Sequence, residues 1–127
     1  MRPHFRFEDL EIWQLARTLA TKFHKLADEL ERRRLYRYAE QLRAAGLSLT
    51  NNIAEGSGST HAQEFKQFLN IARRSLFEDA SMLMVFETLG LFRSADIDGA
   101  VDGLRSAESQ DHELFQDSLD LRKERKV

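Results

Sequence analysis

The sequence predicts an all-α protein, an antiparallel up-down-up-down four-helix bundle, and three observations predict it. Apolar residues recur at three- and four-residue spacing along most of the chain, as in helices that bury one face. A single proline, at position 3, and six glycines in 127 residues leave few places for a helix to break. No segment alternates polar and apolar residues with the period of two that marks a half-buried strand. Short links between long helices favour antiparallel neighbours, hence the up-down order.

The first helix is expected over about residues 9–31, starting at Asp9, a good N-cap type. Trp13, Ala16, Ala20, Phe23, Ala27 and Leu30 form its seam, widened by Ile12, Leu15, Leu19 and Leu26. The run ERRRLYR is the bend. The second helix spans about 35–56 on the seam Leu35, Tyr38, Leu42, Ala45, Leu49, Asn52 and Gly56. Asn52 thereby takes a core position, where an unpartnered amide costs on the order of 1–3 kcal/mol, so a bonding partner is expected for it. Gly56 or Gly58 ends this helix by taking the left-handed conformation that needs no Cβ. Thr60 with Gln63 makes a capping-box pattern for the third helix, about 61–89, whose Phe65, Phe68, Leu69, Ala72, Leu76, Leu83 and Phe86 lead to a stop at Gly90. Ser94 is the expected cap of the fourth, about 95–122. Its seam of Ile97, Val101, Leu104, Phe115 and Leu119 is sparse, and Gly99 and Gly103 each cost about 1 kcal/mol relative to alanine, so its start is the weakest stretch.

Length and composition bound the function. The chain is one domain's worth, residues 1–127, with 42 % hydrophobic and 31 % charged residues. No apolar run approaches the ~20 residues that span a bilayer, and the start MRPHFRFEDLE lacks a secretory h-region, so a cytoplasmic protein with no membrane partner is expected. The absence of cysteine removes disulfides, thiolate nucleophiles and zinc–cysteine sites. A di-metal carboxylate site needs Glu-x-x-His, yet Met1, Thr21, Gly58 and Ser109 stand three residues before the four histidines. His61 and Glu64 have helical ligand spacing in the reverse order and read as a solvated pair. GSGST lacks the Gly-Lys-Ser/Thr of a phosphate loop and any preceding strand, and a helix end explains it better. No strand-turn-helix elbow supports a serine triad. No enzyme activity, metal or cofactor is expected.

The third helix has apolar positions beyond one stripe, Ile71, Met82, Val85 and Leu89, and the first adds Ile12 and Leu15. Self-association would cover this surplus with a second copy; ordinary scattered surface hydrophobes are the alternative. Net charge is −2, but unevenly spread: residues 1–76 hold thirteen Lys or Arg against nine acids, and residues 77–121 hold two against eleven. Arg32, Arg33, Arg34 and Arg37 crowd the first bend, where Arg93 should join them, and Arg122, Lys123, Arg125 and Lys126 should gather with Arg2 and Arg6 at the other end. These clusters read either as charge matching of helix C-termini or as contacts to the phosphates of RNA or DNA. The acids of the fourth helix, Asp96, Asp98, Asp102, Glu108, Asp111, Glu113, Asp117 and Asp120, read as a solvated face that would confine a polyanion to the ends.

Three stretches, FEDLEIWQLA, QLRAAGLSLTNNIAEGSG and EFKQFLNIARRSLFE, resemble in order and spacing the small four-helix proteins encoded in bacterial ribosomal-RNA intervening sequences. The resemblance covers about residues 5–92. It departs at Ala44, Ser59, Arg74 and Asp79, the last standing where an apolar residue is usual. It implies a left-handed antiparallel bundle forming a homopentameric ring without established enzyme activity. The related accessory variability proteins of diversity-generating retroelements form similar pentamers that bind nucleic acid and a reverse transcriptase, so RNA, DNA or a nucleic-acid-processing protein are the partners it suggests. Gln41, Arg43, Ser48, Asn52, Glu55 and Gly56 on the second helix and Arg73, Ser75 and Glu78 on the third match the family's polar positions. They are expected to form a bonded layer across the bundle, with Arg43 or Arg73 pairing with Glu55 or Glu78, that fixes helix register. The function expected is that of a non-catalytic oligomer engaging nucleic acid through basic ends; the alternative is a structural or protein-interaction scaffold without that affinity.

Overall fold

A computed structural model describes residues 2–125, with side chains described for 2–118. After a 3₁₀ turn at Arg6–Asp9 come four helices: α1 Glu11–Arg32, α2 Tyr36–Ser57, α3 Ala62–Thr88 and α4 Ser94–Arg125. The described residues contain no strand, so the protein is all-α. Helix α1 packs against α2 and α4, and α3 against α2 and α4, around one core that includes Phe23, Leu30, Leu42, Leu49, Leu76, Leu83, Ile97 and Leu104. No described helix is long and apolar enough to cross a membrane.

The helix ends differ from the sequence expectation in a consistent way: the backbone and neighbouring side chains do the capping. Asp9 closes the 3₁₀ turn and bonds His4 Nε2 at 2.8 Å, while α1 starts at Glu11 behind Leu10. Helix α3 starts one residue past the expected point, behind His61, whose backbone N–H donates to Ser59 Oγ at 3.2 Å; the Ser59 hydroxyl in turn donates to Glu64. Ser94 is the first residue of α4 and bonds Glu87, and Asp96 reaches back to accept from the Arg93 backbone N–H at 2.9 Å. That bond holds the Asp96 carboxyl below its ordinary range and ties down the start of α4.

Helices α1 and α3 close in the same manner. The Leu35 N–H returns to the Leu30 carbonyl and the Arg34 N–H to that of Glu31, both at 2.9 Å, and Leu91 and Gly90 repeat the pattern on Phe86 and Glu87. These paired bonds satisfy orphan carbonyls and require a left-handed residue between them. Gly90 supplies it at φ 76 and Arg34, less comfortably, at φ 63. Gly56 and Gly58 do not: Gly90 is the one glycine with positive φ among the described residues, and Gly58 sits at φ −79. Gly56 is instead a packing residue, since a Cβ there would lie 2.4 Å from Phe68 Cβ on α3. Gly46 plays the same part against Ala20 on α1, and Gly103 against Leu19.

The buried face of α2 is also rotated from the expected one. It carries Ala39, Leu42, Gly46, Leu49, Ile53 and Gly56, so Ile53 takes the core position assigned to Asn52. Asn52 is half-buried and donates to Ser48 Oγ, one turn back, at 3.4 Å. On α1, Ile12 is fully buried within the chain and Leu15 partly so, whereas Ile71 and Val85 on α3 and Leu89 at its C-cap remain exposed and Met82 is half-buried. The apolar surplus is therefore confined largely to α3, where Phe77 and Met84 add to it, with Tyr36 and Leu47 on α2.

Candidate functional site

The polar positions of α2 and α3 do not meet as a layer. Ser48, Glu55, Arg73 and Glu78 are exposed, and Asn52 and Ser75 half-buried. Arg43 turns toward α1 and bonds Asp28 at 2.7 Å and Glu31 at 2.6 Å; Arg73 turns toward α4 and bonds Glu108 at 3.3 Å. The reason is helical geometry. Arg43 lies three residues before Gly46, on the side of α2 pressed against α1, while Glu55 is exposed one residue before Gly56, which meets α3. Arg43 Nη2 bridges the two carboxylates; its hydrogen bond is the chief cause that lowers the Asp28 pKa, and the bonds to Glu31 and Asp28 raise that of Arg43.

The arginine-rich bend is divided by the fold. Arg33 reaches the α3–α4 link and donates to the Leu91 carbonyl at 2.6 Å, which brings Arg93 to the same end of the molecule. Arg32, Arg33 and Arg93 line an open groove of about 730 Å³ between α1 and the start of α4, together with Lys22 and Lys25 about two to three turns earlier on α1. Arg34 and Arg37 lie outside it. Its floor is Leu26, Leu91, Phe92 and Ala100, and its α4 wall is Ala95, Asp96 and Gly99. Lys22 leans across it to bond the Gly99 carbonyl at 3.3 Å. The wall is low because of its residue types: the only neighbour of a Cβ at Gly99 would be Lys22 Nζ, 3.8 Å away.

Carboxylates line this groove too, but each already has a cation or a donor. Asp28 is held by Arg43, Glu29 by Arg32, and Asp96 by the Arg93 backbone. The groove is thus a place where five cations face three satisfied carboxylates. Lys22 and Lys25 were not among the sequence candidates. Their signal was the row Lys22, Lys25, Glu29, Arg32 on one face of α1, legible as a helical stripe but without meaning until Ala95 and Gly99 are placed opposite it.

At the other end Arg6 bonds the carbonyls of Ser57 at 3.1 Å and Ser59 at 3.5 Å, which fastens the N-terminal turn to the end of α2. The side chains of Arg122, Lys123, Arg125 and Lys126 lie outside the described residues. Among the described residues no three His, Asp or Glu side chains gather in a way that would hold a metal ion.

Two carboxylates are buried, one of them Asp79, which the family resemblance marks as standing where an apolar residue is usual. Asp111, expected on the solvated face of α4, is 1 % exposed, and Asp79 on α3 is 5 % exposed. Leu104, Ala107 and Asp111 share one face at helical spacing, so Asp111 is carried into the core by its register. Each leaves its Oδ2 without a protein hydrogen bond. Burial pushes both up to about 7; Glu78 adds to this at Asp79, whereas at Asp111 the Arg73 charge opposes it and Glu108 assists.

Comparison with curated proteins and with solved structures finds no match for this chain. The comparison with protein families does. Residues 8–108, which take in α1, α2, α3, the first half of α4 and every residue of the α1/α4 groove, match the family described as 23S rRNA-intervening sequence protein, and the chain belongs to that family.

Proposed function

We propose that this protein is a non-catalytic cytoplasmic bundle that assembles with copies of itself, as a pentameric ring, and engages RNA or DNA through the basic end formed by the α1–α2 and α3–α4 links. The observation that carries the reading is the collection of Lys22, Lys25, Arg32, Arg33 and Arg93 into one groove of a chain whose net charge is −2. Such clustering creates a local field that attracts phosphates even when the average charge repels them. Assembly is supported by the uncovered flank of α3, where Phe77 is 58 % and Leu89 56 % exposed. Side chains of that size grouped on one element favour a partner surface over solvent.

The contacts support an antiparallel up-down-up-down order, because position rises along one helix as it falls along its neighbour: Ala20 meets Gly46 and Asp28 meets Arg43, Glu87 meets Ser94 and Arg73 meets Glu108, Lys22 meets Gly99 and Leu19 meets Gly103, while Gly56 late in α2 meets Phe68 early in α3. The left-handed sense follows from the family resemblance and from the usual packing of long antiparallel helices. The three carboxylates of the groove favour a second reading, a protein-interaction scaffold that tolerates no polyanion.

One experiment separates them. Fluorescence anisotropy with labelled structured RNA at 50 mM salt should give saturable binding that weakens steeply as salt rises, and Arg32, Arg33 and Arg34 changed together to glutamate should abolish it. Flat curves with several RNAs at low salt would leave the scaffold. Light scattering on the same sample should give a mass several times the 14.8 kDa protomer.

A further inference from the structure

We propose that the groove between α1 and the start of α4 is a nucleotide site: it takes a base carrying phosphate, supplied either by an unpaired residue of a strand or by a free nucleotide. This rests on the nucleic-acid reading above and narrows it from a basic end to one recess. Three features of the recess select that chemistry. Its volume, about 730 Å³, falls in the range of small-ligand sites, and the recess is an open groove that a strand can enter. Its cations rise from α1 in a row from Lys22 to Arg33, roughly 16 Å at the helical rise per residue, so they can meet more than one phosphate. Its floor is apolar, with Leu26, Leu91 and the buried Phe92, which a base can cover and a simple polyanion cannot use.

Among the described residues Lys22, Lys25 and Arg33 form no ion pair, whereas Arg32 is paired with Glu29 and Arg93 with Asp96. Asp28 is neutralised by Arg43 from outside the recess, and Asp96 is spent on the Arg93 backbone N–H, so the start of α4 is already capped. Among the described residues Lys25 has no hydrogen-bond or ion-pair partner. Lys22 has only the Gly99 carbonyl, a bond that a phosphate can replace. Ala95 and Gly99 keep the α4 wall low enough for a planar ring to enter beside them. A regular duplex presents its backbone as a convex ridge with bases inside, and so cannot offer a base to this floor; an unpaired nucleotide can.

The test compares charge, shape and location. A labelled single-stranded octanucleotide is titrated by anisotropy against the intact protein and three variants: Lys22→Glu with Lys25→Glu, Ala95→Phe, and Arg34→Glu with Arg37→Glu. Lys22, Lys25 and Ala95 are all exposed, so the fold tolerates these changes, and melting curves verify it. The lysine pair should weaken binding at least tenfold and lower the salt slope by about 1.4, the loss expected for two single-strand phosphate contacts. Ala95→Phe, which fills the groove and alters no charge, should weaken it at least tenfold as well. The Arg34 and Arg37 pair should change it less than threefold. If that pair abolishes binding while the lysine pair and Ala95→Phe leave it intact, the groove is not the site although the nucleic-acid reading survives. If the intact protein binds neither oligonucleotide nor ATP, the nucleotide site falls, and the structured-RNA titration decides whether the nucleic-acid reading falls with it. Competition by ATP assigns the site to free nucleotides, and oligonucleotide binding that ATP does not displace assigns it to a strand.

Discussion

Arg34 holds a left-handed backbone, φ 63, at the point where α1 turns into α2. For a residue with a Cβ that conformation costs about 1–2 kcal/mol, and glycine removes most of it while giving back some unfolded-state freedom. Arg34→Gly should therefore raise stability by about 1 kcal/mol, read as a higher urea midpoint with an unchanged slope. Asp79 poses a different problem. Its carboxyl is buried, lacks a bond on Oδ2 and titrates at about 7, and Asp111 behaves alike. The folded chain keeps these protons up to about pH 7, whereas the unfolded chain loses them near the ordinary 3.8. Stability from this source is complete below about pH 4 and declines as pH rises through 7. Melts at one fixed protein concentration should show a higher midpoint at pH 5 than at pH 8. Asp79→Leu should gain about 2–4 kcal/mol at pH 8 and remove about half of that dependence, because an apolar side chain needs neither proton nor partner there.

Among the elements, the glycines decide how close the helices lie. At Gly56 a methyl group would meet Phe68 Cβ at 2.4 Å and Cγ at 2.9 Å, atoms fixed by the α3 backbone. At Gly99 it would meet only the mobile tip of Lys22, at 3.8 Å. Gly56→Ala should destabilise by about 1–3 kcal/mol, since overpacking outweighs the helix-propensity gain, and Gly99→Ala should stabilise by up to about 1 kcal/mol. Opposite signs for one substitution in two helices are checked by the same denaturation series. This contrast also marks what the sequence could reveal. Four helices were legible because the three-four spacing of Leu19, Phe23, Leu30 or Leu69, Leu76, Leu83 admits no other element. The meaning of Gly56 was not, because a helix end and a close crossing both ask for a missing Cβ. The rotation of α2 escaped for a related reason: Gly46 and Gly56 let two helices approach it, so its buried arc is wide and small residues blur its centre between Asn52 and Ile53. Arg43 found Asp28 and Glu31 rather than the expected acids because pairing follows the side of the helix, and that side is fixed by Gly46 meeting Ala20.

For the whole molecule the groove is the part least visible in the chain, since Lys22 and Lys25 gain their role only when Arg93 and Gly99, some seventy residues later, are folded against them. The ring proposed above would repeat that groove in every protomer, and repetition has a measurable consequence. A long RNA that reaches several grooves binds with an avidity that can exceed single-site affinity by 10²–10⁴-fold, whereas an octanucleotide confined to one groove gains nothing. Ile71 and Val85 are exposed on the flank of α3 and do not line the α1/α4 groove, so charge placed there acts on assembly and leaves the groove as it is. Ile71→Asp with Val85→Asp should reduce the light-scattering mass to 14.8 kDa, weaken long RNA on the order of 10²-fold and leave octanucleotide affinity unchanged. A loss that is equal for both ligands would mean that the flank acts on the groove itself, and a mass that does not fall would move the contact to Phe77 and Met84, which flank the separate recess between α3 and α4. The ratio of the two affinities therefore reports the number of grooves working together, independently of what any single groove contributes.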